Sequence, residues 1–319
     1  PVGARRVCGM SEHWTTQRER GSVFGMKLIV RFTAVFGRGA SRALLYPVCL
    51  YFMLFARRST RASRQYLGRL HGRPPTWREV FRHYFCFAAT LLDRGLLLAG
   101  LPQKLDVSSE NAEVVRRLAA AHRGCLLLGA HLGSFDVARM LGEVHRHTEI
   151  HMMMYEDNAQ KVNTAIEGLG GRSRMKVIPI GGVDSLIQAQ DRLDRGDWVG
   201  ILGDRVVASE RLVRVPFFGV EAAFPAGPFL MASTLKVPVV LFASLYLGGN
   251  RYREYFELFA EEITIDRRNR SADLEAWVRR YAERLEHYCR LAPDNWFNFY
   301  DFWEAATPPE PKATMPRVA

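Results

Sequence analysis

His131 and Asp136 stand in the stretch Gly124-Cys-Leu-Leu-Leu-Gly-Ala-His-Leu-Gly-Ser-Phe-Asp136. An imidazole can take a proton from a hydroxyl or amine, and a nearby carboxylate can fix its tautomer and support the imidazolium that forms. The setting suits that work. Cys125–Leu128 is a short apolar run of the kind that forms a buried strand, and Gly129-Ala130 ends it. A helix is expected to begin near Ser134, with Ser134 as its cap. The same spacing also describes a plain surface turn with a bystander histidine.

The elements that must position these residues follow from the hydrophobic pattern. Past Pro102, short apolar runs alternate with amphipathic segments. Strands are expected at Cys125–Leu128, Glu149–Met154, Lys176–Ile180, Trp198–Leu202, Val237–Tyr246 and Glu254–Phe259. Helices are expected at Glu110–Ala121, Asp184–Arg195 and Ser271–Leu291. This alternation predicts an α/β fold: a mostly parallel central sheet with helices on both faces. Asp204 and Arg205 follow the run Val199–Leu202 and should emerge at the same sheet edge as His131, where open α/β sheets bind ligands. Arg205 could hold a phosphate or carboxylate there; a local Asp204–Arg205 ion pair shaping the loop is the other reading.

The motifs carry a family resemblance. His131-x4-Asp136 in its Gly-Ala-His-Leu-Gly-Ser-Phe-Asp setting resembles the signature of the lysophospholipid acyltransferase superfamily. Further blocks follow in order: Leu202-Gly-Asp-Arg205, Val215-Pro-Phe-Phe-Gly219 with Phe224-Pro-Ala-Gly-Pro228, and Lys236-Val-Pro-Val-Val240. Together they are similar to the branch containing the bacterial late acyltransferases of lipid A synthesis. Two positions depart from that branch, which usually has Glu in place of Asp136 and Asp-Gln in place of Asp204-Arg205.

The resemblance implies a glycerolipid acyltransferase-like fold and direct transfer of an acyl chain from an acyl carrier protein or CoA thioester to a hydroxyl or amine. His131 would be the general base and Asp136 the group that orients it. No cofactor, metal or enzyme nucleophile is implied. Asn158, Lys161 and Asn163 are acceptor-site candidates by position alone, since they follow the strand ending at Met154. Gly227, with Gly219 and Pro225, would shape the backbone near the acyl donor; plain turns are the other reading of such a Pro and Gly cluster. The aromatic segment Asn295–Trp303 resembles the family's closing segment, which packs beside the active site; ordinary core packing describes it equally well.

Composition narrows the partners. The 319 residues carry a formal charge of +11, and six lysines leave 38 arginines among the 44 basic residues. Arginine pairs bidentately with phosphates and carboxylates, which suits an anionic membrane surface or an acidic carrier protein. Nucleic acid is a rival suggested by charge alone; the basic residues are dispersed and no helix-turn-helix, zinc or stacking-platform motif supports it. A lipid-binding scaffold without activity is a second rival, against which the intact His131–Asp136 pair argues.

The five cysteines are scattered, with no C-x-x-C spacing, which argues for free thiols in a reducing compartment. His145-Arg-His147-Thr-Glu-Ile-His151 has mixed spacing and no companion cysteine, so it reads as a solvated connection rather than a metal site. Leu44–Ala56 is apolar for 13 residues, short of the roughly 20 needed to span a bilayer, and arginines bracket it. A helix lying in one leaflet fits, with Leu44, Leu45, Leu50, Phe52 and Phe55 toward lipid, on the cytoplasmic face of a bacterial inner membrane. A buried helical hairpin is the alternative. The expected organisation is a leader at 1–21 with Met10 a possible start, a helical membrane-associating region at 22–100, an α/β acyltransferase domain at 101–303 and a disordered tail at 304–319.

Overall fold

The computed structural model describes residues 23–99, 105–137, 148–156, 160, 163, 164, 176–206 and 211–303. Three helices come first: α1 (Val23–Phe55), α2 (Arg57–His71) and α3 (Trp77–Leu98). The chain breaks between α2 and α3 at Gly72-Arg-Pro-Pro75. Gly72 closes α2 in the left-handed conformation, and Thr76 opens α3 with a capping box to Glu79.

The α/β elements then alternate: β1 (Asp106–Glu110), α4 (Ala112–Ala120), β2 (Cys125–Gly129), β3 (Ile150–Met154), β4 (Val177–Pro179), α5 (Gly182–Asp194), β5 (Trp198–Leu202), β6 (Leu212–Phe217), β7 (Val220–Pro225), α6 (Gly227–Leu235), β8 (Val239–Tyr246), β9 (Arg251–Ala260) and α7 (Arg270–Leu291). The main sheet has seven strands in the order β1-β9-β8-β2-β5-β3-β4. Every neighbouring pair is parallel except β8–β9, so the expected mostly parallel sheet is present.

Alternate side chains of β2 feed opposite faces. Leu126 and Leu128 join a large core shared with α1–α3, α6 and α7, whereas Cys125 and Leu127 join a smaller one under α4 with Trp198, Phe242 and Phe256. The N-terminal helices therefore share the main core with the sheet. One polar knot ties them down. Buried Asp93 on α3 receives Arg38 through Nε (3.0 Å) and Nη2 (2.6 Å), Arg42 (3.2 Å) and the Tyr252 hydroxyl of β9 (2.8 Å).

Helix α1 kinks at Gly37 (φ 79°) and turns only one side inward. Leu45 and Cys49 are buried, while Leu44, Tyr46, Leu50, Tyr51, Leu54 and Phe55 stay exposed. From Leu44 to Phe55 the helix thus has a narrow inward edge and an open apolar surface. Leu45 corrects the sequence expectation: it packs into the protein and is not available to lipid. Among the described residues no single helix is long and apolar enough to cross a membrane, although Val35–Phe55 and α2 form a bent pair that passes by length and composition.

Candidate active site

The register of β2 on β5 builds the site. Gly129 pairs with Leu202, and the ladder runs one step further as the Gly203 N–H donates to the Gly129 carbonyl (2.9 Å). Two residues past that pair on one strand stands His131; two past it on the other stands Asp204. They meet. The His131 backbone N–H donates to Asp204 Oδ2 (3.0 Å), and His131 Nδ1 lies 2.8 Å from Oδ1. Trp296 Nε1 donates to Oδ2 at 2.9 Å. Burial alone would raise the Asp204 pKa, but His131, Arg205 and the Trp296 indole hold it down at about 2. With Asp204 ionised, Nδ1 must be the protonated nitrogen, which leaves a lone pair on Nε2.

This corrects the expected pairing of His131 with Asp136. After His131 the chain turns at Gly133 (φ +70°), and Asp136 falls in the first turn of the helix that follows. Its carboxylate is buried and held by Arg94 Nε of α3 at 2.8 Å, while its Oδ1 has no hydrogen-bond partner. The expected cap is also absent, since the Ser134 hydroxyl is buried without a partner.

His131 is 29% exposed at its side chain and lies near two cations, Arg205 and Arg94. Desolvation first, then Arg205, push its pKa below the ordinary imidazole value. The imidazole is therefore neutral at neutral pH and competent to accept a proton. Arg205 donates from Nη2 to the Phe297 carbonyl (3.3 Å), and its Nε has no partner.

The aromatic segment does pack beside this site. Phe297 N–H donates to the His131 carbonyl (2.8 Å), Gly133 N–H donates to the Asn295 carbonyl (2.9 Å), and Leu132 bridges Trp296. The Asn295 side chain in turn holds both the N–H and the carbonyl of Tyr246. Trp296 is reached from the helical region as well: buried His83 of α3 contacts the Trp296 carbonyl through Nε2 and Ser63 Oγ through Nδ1, both at 2.8 Å. Trp296 belongs to the aromatic segment expected beside the site, whereas His83, far from His131 in the chain, was not anticipated as part of the site's frame.

Burial pushes the His83 pKa down to about 4, partly opposed by its bond to the Trp296 carbonyl. An unfolded histidine takes up its proton near 6.5. As pH falls from 6.5 toward 4, the unfolded chain therefore binds a proton that the folded chain refuses, and stability is lost across that window. The loss approaches about 3 kcal/mol by the bottom of the window. Urea unfolding between pH 7 and 4.5 should show this slope, and His83→Gln should flatten it. An unchanged slope in the variant would contradict the assignment.

The other expected site residues are less connected. Gly227 opens α6 in an exposed position where an added Cβ would meet nothing within 4 Å, and no described contact joins it to His131. Gly219 forms a tight β6–β7 hairpin turn with Phe218, both at positive φ. Asn158 and Lys161 lie outside the described residues, as do His145 and His147; Asn163 is partly buried, with its Oδ1 unpartnered.

The α/β sheet and the sequence it is built from belong to the lysophospholipid acyltransferase superfamily, whose chemistry is acyl transfer. Within it, a family model described as bacterial lipid A biosynthesis acyltransferase matches residues 100–304, and the chain belongs to that family. A comparison with curated proteins returned no match.

Proposed function

We propose that the protein transfers an acyl chain from the thioester of acyl carrier protein or CoA to a hydroxyl or amine of a lipidic acceptor, with His131 Nε2 as general base. The observation that carries this is the 2.8 Å contact between His131 Nδ1 and the ionised, buried Asp204. It fixes the tautomer with its lone pair on Nε2. Nε2 takes the proton of the acceptor as its oxygen or nitrogen attacks the thioester carbonyl. The tetrahedral oxyanion then collapses, the carbon–sulfur bond breaks, and the departing thiolate receives the proton from Nε2. Arg94 and Arg205 are the cations near enough to stabilise the oxyanion or an acceptor phosphate. Asp136 serves the site through Arg94, whose guanidinium it anchors. The basic surface favours an acidic carrier protein over CoA as donor.

His131→Ala should remove nearly all transfer, roughly a thousandfold or more, since general-base and positioning effects are lost together. Its thermal unfolding midpoint should stay close to the parent's. Mass spectrometry of lipid products from purified protein, acyl carrier thioester and lipid acceptor reads the result. Retention of most activity would overturn the assignment.

Attachment to the cytoplasmic face of the inner membrane follows from the same reading. The open apolar side of α1 continues into a cleft of about 1050 Å³ lined by Met53, Leu54, Arg57, Arg61, Arg64 and Arg69. Such a surface joins apolar burial to attraction for anionic headgroups, the latter worth roughly 1 kcal/mol per arginine. Flotation with anionic liposomes should capture the protein, and neutralising Arg57, Arg58, Arg61 and Arg64 together should release it. Equal flotation of parent and variant would refute the electrostatic part.

A further inference from the structure

A second group of ligating side chains lies at the other end of β5. Asp204 follows that strand, whereas Asp197 precedes it, so the two are separated by seven residues, roughly 20 Å of extended chain. Beside Asp197 stand Glu149, just before β3, and His151, the second residue of β3. One oxygen or nitrogen from each of the three lies within 4.8 Å of the others. His151 Nε2 is 3.3 Å from Asp197 Oδ2 and 3.5 Å from Glu149 Oε2.

His151 is only 5% exposed, yet its Nε2 makes no hydrogen bond. A buried imidazole nitrogen aimed at two carboxylate oxygens without bonding either is an unusual arrangement for protein groups alone. The spacing fits an ion between them. Zinc–nitrogen and zinc–oxygen bonds of about 2.0–2.1 Å at tetrahedral angles place neighbouring ligand atoms about 3.4 Å apart. The remaining oxygens are already occupied, which orients the free ones. Asp197 Oδ1 accepts the Glu149 N–H (3.2 Å), and Glu149 Oε1 pairs with Lys176 Nζ.

We propose that Glu149 Oε2, His151 Nε2 and Asp197 Oδ2 bind one divalent transition-metal ion of the zinc type, with water as a fourth ligand. The ion clasps the amino ends of β3 and β5, away from His131, and its role is structural. This departs from the sequence reading, which assigned no metal because the His145–His147–His151 spacing is mixed. The ligand pattern here is different: a Glu-x-His pair on one strand and an aspartate supplied by the start of its neighbour.

The test uses the full chain, stripped with a chelator and titrated with Zn²⁺ against a chromophoric competitor. One Zn²⁺ per chain is expected, with X-ray absorption showing one imidazole among oxygen donors. Zn²⁺ should raise the thermal midpoint of the parent but not of Asp197→Asn. Loss of one ligand should weaken binding by at least roughly tenfold to a hundredfold, the cost of outer-shell changes alone. Should His151→Gln fail to fold, Glu149→Gln at the half-exposed rim decides the matter. Substoichiometric binding by the parent, or equal binding by parent and Asp197→Asn, would overturn the proposal.

Discussion

Asp204→Asn is expected to lower the rate of acyl transfer by roughly 10³–10⁴-fold while the protein stays folded. The size follows from what Asp204 does for His131. Its two oxygens accept three N–H groups: His131 Nδ1, the His131 backbone and the Trp296 indole. An amide keeps the shape and offers only one oxygen. If the amide oxygen stays with the backbone N–H and the indole, the amide nitrogen faces Nδ1 and donates to it. The imidazole must then carry its proton on Nε2, the nitrogen that needs a lone pair to act as base. Losing the carboxylate charge also removes the support for the imidazolium formed during the reaction. Trp296→Phe deletes only one donor to the same carboxylate and should cost much less, in line with a single charge-assisted bond of about 1.5–3 kcal/mol. Steady-state rates with near-ultraviolet circular dichroism as the folding control measure both. An Asp204→Asn enzyme retaining a tenth or more of parental activity would rule out the pairing.

That pairing also marks where reading the sequence stopped being sufficient. The apolar run Cys125–Leu128 announces β2, and the polar residues after it announce a site, because both signals are local. The partner of His131 is not local. Spacing along the chain points to Asp136, the nearest carboxylate, whereas the sheet brings in Asp204 because β2 and β5 are neighbours in register although 73 residues separate Asp204 from its histidine. Asp204 could be assigned to the correct edge from the strand before it, but its role needed the strand order. His83 was hidden for the same reason, being an ordinary helical position until the tertiary fold brings it to the Trp296 carbonyl; the segment holding Trp296 was expected beside the site, but not its bond to Asp204.

Two fold elements were missed for a different cause. Strand β1, Asp-Val-Ser-Ser-Glu, is a mostly exposed edge strand paired only to β9, so it carries no apolar alternation to detect. The β6–β7 hairpin turns through Phe218-Gly219, and an aromatic residue at positive φ is a weak turn signal.

Gly133→Ala is expected to destabilise the protein by about 4 kcal/mol and to disorganise the His131 loop. Gly133 sits at φ +70°, a conformation that costs a residue bearing a Cβ roughly 1–3 kcal/mol. The steric term is heavier than usual. A Cβ built there would lie 1.8 Å from the Ser244 carbonyl oxygen and 2.7 Å from its carbon, both backbone atoms of β8. No side chain can swing away to relieve that contact, so overpacking adds roughly another 1–3 kcal/mol. The backbone that must shift is bonded on both sides: Gly133 N–H to the Asn295 carbonyl and Ser134 N–H to the Ser244 carbonyl, each at 2.9 Å. Those bonds set the distance between the His131 turn, β8 and the Trp296 segment, so displacing the loop also pulls His131 from Asp204 and activity should fall with stability. Gly248→Ala provides the comparison, since Gly248 has φ +94° but open space around its Cβ position and reports backbone strain alone. In urea denaturation the Gly133 variant should lose clearly more than the Gly248 variant. Equal losses would mean that the close approach of Gly133 to Ser244 does not shape the site.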